Sequence, residues 1–256
     1  MEGLEALNRQ GIPVVLSSRG TRAQLEPFRR KILHGHPFLT ESGAGLFIPD
    51  GYFSLRLEGA TRVGRHFSLA FARPHAEAAA AVAEIAAAAR ASVVALSQLS
   101  VREIARNTGE SPREADLSRQ REFSELFFFA GEAEKAARRF SETARRKSWE
   151  TVPGDPFWEL RSRVMRNGQP AAGYLMDLYR RSLRVKLRSV GIGSQAEDAH
   201  LLSAMDTAVV LPRRAGEWDS ALISRLPRAV RGEQAGPAGW SQAVSRMLQA
   251  PQFPRR

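Results

Sequence analysis

The sequence predicts an α/β protein, a largely parallel sheet covered by helices and interrupted by an α+β insert. Three observations predict it. Within residues 1–50, apolar runs of four to five residues are each followed by a helical pattern, which is what a parallel sheet buried on both faces requires. From Phe67 to about Arg166 this rhythm gives way to an Ala-rich helix, short amphipathic helices and short strands. After Pro170 the alternation of helix and buried strand returns.

In order, an amphipathic stretch runs to Gln10, followed by the strand GIPVVLSS, the helix TRAQLEPFRRKILHG, and the strands FLTES and GLFIP. The insert opens with FSLAF and continues through the helix HAEAAAAVAEIAAAARA, the strand VVAL, helices around REIARNTG and PREADLSRQ, the strand FSELFFFAG, a further helix and further short strands. The last part reads as the helix AAGYLMDLYRRSL, the strand VGI, a helix, the strand AVVLP and a helix beginning near Trp240. The expected domains are therefore a core of residues 1–66 with 167–256 and an α+β cap of residues 67–166. Such a cap is expected over the carboxyl ends of the strands, where open parallel sheets bind ligands.

The 256 residues are 43% apolar and 25% charged, the composition of an ordinary globular protein with room for a substantial core. No stretch of about 18 uncharged apolar residues occurs, so no membrane span is expected. The amino terminus lacks a basic region followed by an apolar run, and a cytoplasmic location is expected. With no cysteine, disulfides, thiolate metal sites and cysteine nucleophiles are excluded. The net charge of +11 is carried almost wholly by arginine, the lysines being Lys31, Lys135, Lys147 and Lys186. Because the cations are scattered, they read as solvated arginine-rich faces more than as a polyanion site, and nucleic acid is not the expected partner.

Four stretches carry a specific resemblance. GIPVVLSSRGTRAQLE (residues 11–26) is similar to a strand, Ser/Thr turn and helix of the form GIPVV-x-SSKTRAE, with one extra residue in the turn. HPFLTESGAGLFIPDGYF (36–53) is similar to HPFI-x-ENGAAIFIP-x-GYF, with Ser42 in place of Asn. VREIARNTGESPREADLSRQREFSE (101–125) follows a cap pattern of helix, TGL, second helix and REYSEP, and GPAGWSQAV (236–244) is close to GPEGWNEAV. In this order they resemble the mannosyl-3-phosphoglycerate phosphatases, members of the haloacid dehalogenase-like superfamily. The resemblance implies a Rossmann-like core with a cap, and attack of an aspartate on phosphorus assisted by Mg²⁺ and a lysine.

The motifs that implication demands are present only in part. The first, a strand ending in DxDGT, supplies nucleophile and acid/base; no DxD occurs in the 256 residues, and no catalytic group is intact. The second, a Ser or Thr that binds phosphoryl oxygens, is filled by Ser17 or Ser18, which read equally as a helix N-cap. The third is a lysine; residues 167–179, NGQPAAGYLMDLY, contain none, with Gly168 or Pro170 at its place and Arg166 adjacent. The fourth, GDSxND, aligns with residues 193–198, where Ser194, Gln195 and Glu197 replace aspartate, serine and asparagine and Asp198 remains. Glu197 and Asp198 are the candidate metal ligands, and an acid-rich helix start is the alternative reading. In the cap, GDPFWEL (154–160) stands for GGRF followed by an aromatic and HL, with Pro156 replacing arginine and Glu159 histidine. Arg121 is the candidate cap contact to an anionic substrate, or else a surface ion-pair partner.

The losses coincide, so the expected function is a sugar-phosphate phosphatase relative with weak or no turnover. The alternative is a non-catalytic, phosphometabolite-binding or regulatory pseudophosphatase. Magnesium enters by resemblance alone, and its binding is in doubt. The missing first strand belongs at the centre of this superfamily's sheet, between GIPVVLS and the strand ending at Ile192. The expectation is that an upstream segment or a partner chain completes the sheet, or that the two flanking strands pair directly.

Overall fold

The computed structural model describes residues 2–131, 133–154, 156–164, 166, 168–213 and 216–249. Asp155 of the cap signature and Asn167, at the expected domain boundary and in the third motif's stretch, lie outside the described residues. In chain order the elements are α1 (Glu2–Arg9), β1 (Leu16–Ser17), α2 (Arg22–Lys31), β2 (Phe38–Thr40), β3 (Gly45–Pro49), β4 (Thr61–Val63), β5 (His66–Ala70), α3 (His75–Ala89) and β6 (Val93–Ala95). There follow α4 (Val101–Thr108), α5 (Pro112–Arg119), β7 (Ser124–Phe129), α6 (Ala133–Arg146), β8 (Trp149–Val152) and β9 (Trp158–Ser162). The chain continues through α7 (Ala171–Leu183), β10 (Val190–Gly193), α8 (Ala199–Ser203), β11 (Thr207–Val210), α9 (Ser220–Arg225), β12 (Val230–Arg231) and α10 (Gly236–Gln249). Contacts group these into two compact units, residues 16–171 and residues 1–15 with 172–256.

The unit of residues 16–171 holds two sheets. The first has the order β1-β2-β3-β5-β4. Only β1 and β2 run parallel; β2, β3, β5 and β4 pair antiparallel. The sequence reading expected parallel strands within residues 1–50, and β3 departs from it. The four residues from Glu41 to Ala44 join β2 to β3, and so short a link permits only an antiparallel return. The domain boundary expected at 67 falls inside β5, whose ladder with β3 spans Gly45–Pro49 and keeps it in this sheet. At Gly45 a Cβ would lie 2.5 Å from the Phe123 ring, so a glycine is needed for that ring to approach.

The second sheet has the order β6-β7-β9-β8 and is wholly antiparallel. One face is covered by α3 and α6. In α3 the buried residues are Ala78, Ala81, Val82, Ile85, Ala86 and Ala89, spaced three and four apart, so a single stripe faces the sheet. They meet Phe127, Phe140, Ala144, Trp149 and Leu160. The helices α4 and α5 start at Ser100 and Ser111, each accepting from the amide three residues on (Glu103, Glu114) while that glutamate bonds back. Both are capping boxes of the Ser-x-x-Glu form.

In the unit of residues 1–15 and 172–256 the sheet is β10-β11-β12, all parallel. Leu7 of α1 packs with Val244 and Leu248 of α10, alongside Ile12, Val14 and Ile192. On α8 and α9, Ala199, Leu202 and Leu222 pack against Val210. β10 ends its sheet, and β1 ends its own in the other unit. Among the described residues no helix is long and apolar enough to cross a membrane.

Candidate functional site

The phosphate-turn candidates lie at the end of β1, Ser17 as its last residue and Ser18 just after it. Ser17 pairs with Leu39 of β2 and is exposed; Ser18 is half-buried, and its amide donates to Leu39 O at 3.0 Å. The Ser18 hydroxyl accepts from the Gly20 amide at 3.0 Å, a local Ser turn. Neither serine is the N-cap of α2. That role falls to Thr21, whose Oγ1 accepts from Gln24 N at 3.1 Å while Gln24 Oε1 accepts from Thr21 N at 3.0 Å. The extra residue in this turn therefore separates the serines from the helix they were expected to cap. Thr21, fully buried, also donates to Leu117 O at 2.8 Å and so ties the turn to the end of α5. Arg22 bridges Glu26 and Glu122. Burial pushes the Glu122 carboxyl up despite Arg22 beside it.

Arg121 is neither a surface residue nor an isolated cation. Its side chain is 3% exposed and faces Glu41 at 3.5 Å and Glu159 at 3.3 Å, both carboxylates being buried. Its Nε and Nη2 donate to the Ser124 hydroxyl at 3.0 and 2.5 Å, and that hydroxyl donates to Glu41 Oε2 at 2.6 Å. Glu41 also accepts from the Glu122 and Phe123 amides at 2.7 and 3.1 Å. Glu41 takes this place with a left-handed backbone (φ 47°) in the β2–β3 turn, followed by Ser42 at 57°. Arg161 continues the network, within 4.0 Å of Glu159 and 3.9 Å of Glu150, and its buried Nε makes no hydrogen bond. Arg121 leans on carboxylates 80 and 38 positions away, so a buried ionic lattice joins the β2–β3 turn to β7 and β9. Glu159, at the histidine position of the cap signature, now pairs with two arginines.

In the other unit, Gly193 to Asp198 form the turn after β10. The Asp198 carboxylate folds back, its Oδ2 accepting from Ser194 N at 2.7 Å and Gln195 N at 3.0 Å. A Cβ at Gly193 would lie 2.7 Å from this carboxylate, so the glycine is what lets it close. The next amide, Ala196 N, donates to Asp219 Oδ2 at 3.1 Å. Asp219 is buried, caps α9 by accepting from Leu222 N at 3.0 Å, and bonds Arg213. Burial would raise the Asp219 carboxyl, but the Leu222 and Ala196 amides and the Arg213 guanidinium outweigh it and hold the group below its usual range. Glu197 is half-buried in the same turn.

A magnesium ion wants near-octahedral oxygen ligation. Among the described residues no group of three or more His, Cys, Asp or Glu could hold a metal ion. Asp198 has turned its Oδ2 onto its own backbone, and Asp219 is occupied by Arg213. The residues present do not fit a resident Mg²⁺. The sequence reading missed Asp219, Arg213, Glu41 and Ser124. Of these only Glu41 carried a signal, a carboxylate set between the apolar runs FLT and AGLFIP.

Asp219 organises the turn from outside it. Asp219→Ala is expected to cost about 1–3 kcal/mol by urea denaturation, because a cap, the Ala196 amide and Arg213 all lose their acceptor. Since its folded pKa is depressed, its contribution is present above the ordinary aspartate value of about 3.9 and is lost as pH falls through the lower folded value. The gap between wild type and Asp219→Ala should therefore close in strong acid.

No protein-family model matches the chain. It is 24% identical to a glucosyl-3-phosphoglycerate/mannosyl-3-phosphoglycerate phosphatase of Methanococcoides burtonii, over 96% of this chain and 88% of that protein. It is 27% identical to a mannosyl-3-phosphoglycerate phosphatase of Pyrococcus furiosus, over 81% of each. A haloacid dehalogenase-like hydrolase from Bacteroides thetaiotaomicron superposes with a TM-score of 0.61 at 15% identity, covering 96% of this chain and 90% of that one. The order of strands and helices seen here and these likenesses together make the chain a sequence relative of the mannosyl-3-phosphoglycerate phosphatases with a haloacid dehalogenase-like fold.

Proposed function

We propose that this chain binds a sugar phosphate through the Ser17–Ser18 turn, and that phosphoester cleavage by these 256 residues is weak or absent. The observation that carries the second half is Asp198. The one acid kept from the fourth motif spends its Oδ2 on the Ser194 and Gln195 amides instead of offering it to a cation. The names of the relatives support the ligand class, a phosphorylated glycoside. Residues 67–166 are proposed as the specificity-giving cap and the remainder as the core, in a cytoplasmic protein. A strand from a partner chain is part of this reading, supported by β1 and β10 each standing at the end of its own sheet.

The second reading is a Mg²⁺-dependent phosphatase, favoured by the same relatives. Thermal unfolding of the full chain with mannosyl-3-phosphoglycerate and a phosphomonoester panel, beside phosphate release with and without Mg²⁺, separates the two. Saturable stabilisation without metal-stimulated release is the expected result. Metal-stimulated release that vanishes in Asp198→Asn would establish the second reading, and neither stabilisation nor release would sink both. The double variant Ser17→Ala/Ser18→Ala is expected to weaken binding by roughly tenfold, the worth of about one net hydrogen bond to an anion.

A further inference from the structure

Three of the five histidines gather around one buried arginine in the unit of residues 16–171. Arg29, in the last turn of α2, is 6% exposed and lies over the Phe38 ring at 3.7 Å. It makes no ion pair within 4 Å among the described residues; every partner of its guanidinium is neutral. Nε donates to His34 Nδ1 at 3.1 Å, Nη1 meets His66 Nε2 at 3.2 Å, and Nη2 donates to His34 O and His36 O at 3.3 and 3.1 Å. A guanidinium can only donate. The ring nitrogens facing it, Nδ1 of His34 and Nε2 of His66, must therefore carry lone pairs. That assigns both tautomers, with the proton on Nε2 in His34 and on Nδ1 in His66. An imidazolium has no lone pair left, so taking up a proton turns either acceptor into a donor pointed at a donor, and adds a like charge about 3 Å from a desolvated cation.

We infer that Arg29, His34 and His66 form an acid-sensitive clasp that seats the carboxyl end of α2 on the five-stranded sheet and loosens when either ring is protonated. The contacts reach every element at that corner: α2 through Arg29 itself, the loop after it through His34 and His36, β2 through Phe38, and β5 through His66. His66 also stacks edge-on against Phe38, with centroids 5.3 Å apart, so the arginine and the histidine share one aromatic platform. Other ionisable groups face the cluster. Glu26 and Arg22, both on α2, act on it with opposite signs, and Glu26 is itself divided between Arg22 and Arg30. His36, whose Nδ1 lies 2.8 Å from the Tyr52 hydroxyl, is the third ring.

The electrostatics agree with the geometry. Burial and then Arg29 hold His36 and His66 below the usual imidazole value. For a group whose neutral form is favoured by folding, stability is fully present above the unfolded pKa of about 6.5 and is lost as pH falls towards the folded value. The clasp is thus closed near neutrality and opens on the acid side. Because α2 is capped by Thr21, three residues after Ser18, its release at one end loosens the frame of the Ser17–Ser18 turn at the other.

The test uses the full chain. Long-range nitrogen–proton spectra of the imidazoles, recorded from about pH 8 to pH 4.5, read tautomer and titration for each ring. The expected pattern near neutrality is Nε2–H for His34 and Nδ1–H for His66, with His66 titrating below about 6.5. Hydrogen exchange of α2 amides, corrected for intrinsic rates, should lose roughly tenfold in protection between about pH 7.5 and pH 5, one pKa unit being a tenfold population change. The variant His34→Asn/His66→Gln keeps an acceptor in each place that takes up no proton in this range, and its exchange profile should be nearly flat. A proton on the nitrogen facing Arg29 near neutrality, ordinary titration of His66, or an identical pH profile in variant and wild type would overturn the inference. Should the variant fail to fold, the wild-type imidazole spectra decide the question alone.

Discussion

Arg121→Ala is expected to destabilise the protein by about 3–5 kcal/mol, the usual cost of removing one partner from a buried ion pair. The change strands two carboxylates. Glu41 and Glu159 are fully or almost fully buried, and Ser124 alone is left between Arg121's former place and Glu41. Glu41 retains two amide donors, so the heavier penalty falls on Glu159, whose remaining cation, Arg161, stands at 4.0 Å. If stranded charge is the cause, the penalty depends on pH. Without Arg121 the two carboxylates lose their nearest cation, so the gap between variant and wild type should narrow in acid, where carboxylates lose their charge. Arg121→Met, which replaces volume but not charge, should behave like the alanine variant near neutrality. Urea denaturation at several pH values checks this; a cost under about 1 kcal/mol would mean that the lattice is no stronger than a surface pair.

Phe127→Ala should cost a comparable amount, about 3–5 kcal/mol, for a different reason. Phe127 is fully buried on β7, with its ring centroid 4.7 Å from Phe140 and 5.4 Å from Phe129. Truncation removes apolar burial, breaks the aromatic contacts and leaves a cavity between β7 and the α3/α6 layer. Neighbours such as Leu160 and Ile85 sit on regular elements and can refill it only partly. Phe127→Leu, which keeps most of the volume, should lose far less. Unlike Arg121→Ala, the effect should be flat with pH, since no titratable group belongs to that cluster. Paired pH series on the two variants therefore separate an electrostatic contribution from a packing one.

How much of the candidate site was legible in the residues differs from one place to the next. The turn at Ser17–Ser18 could be located because a strand, a polar turn and a helix start are local patterns. Which residue caps the helix could not, because Thr21 and the serines are equally good capping types, and Gln24 at the third helical position chose between them. Asp198 could be aligned, yet the direction of its carboxylate depends on backbone geometry at Gly193 and Gln195 that spacing does not encode. Arg121 was noticed for its charge, but its burial rests on Glu41, eighty positions earlier in the chain. The antiparallel course of β3 was misread because apolar runs in a doubly covered sheet carry no mark of strand direction.

From the amino acids alone came the α/β order, the Ala-rich helix α3, the presence of the short helices α4 and α5 and the resemblance to a phosphatase family. These features are written in spacings of three, four and two residues, or in contiguous motifs, so a linear reading finds them. Only the folded chain decided what its charges do: that Arg121 is locked between Glu41 and Glu159, that Asp219 holds the turn before Asp198, and that Arg29 rests on neutral histidines. The environment of an ionisable group is set by neighbours in space, and spacing along the chain does not name those that lie as far off as Glu41 does from Arg121.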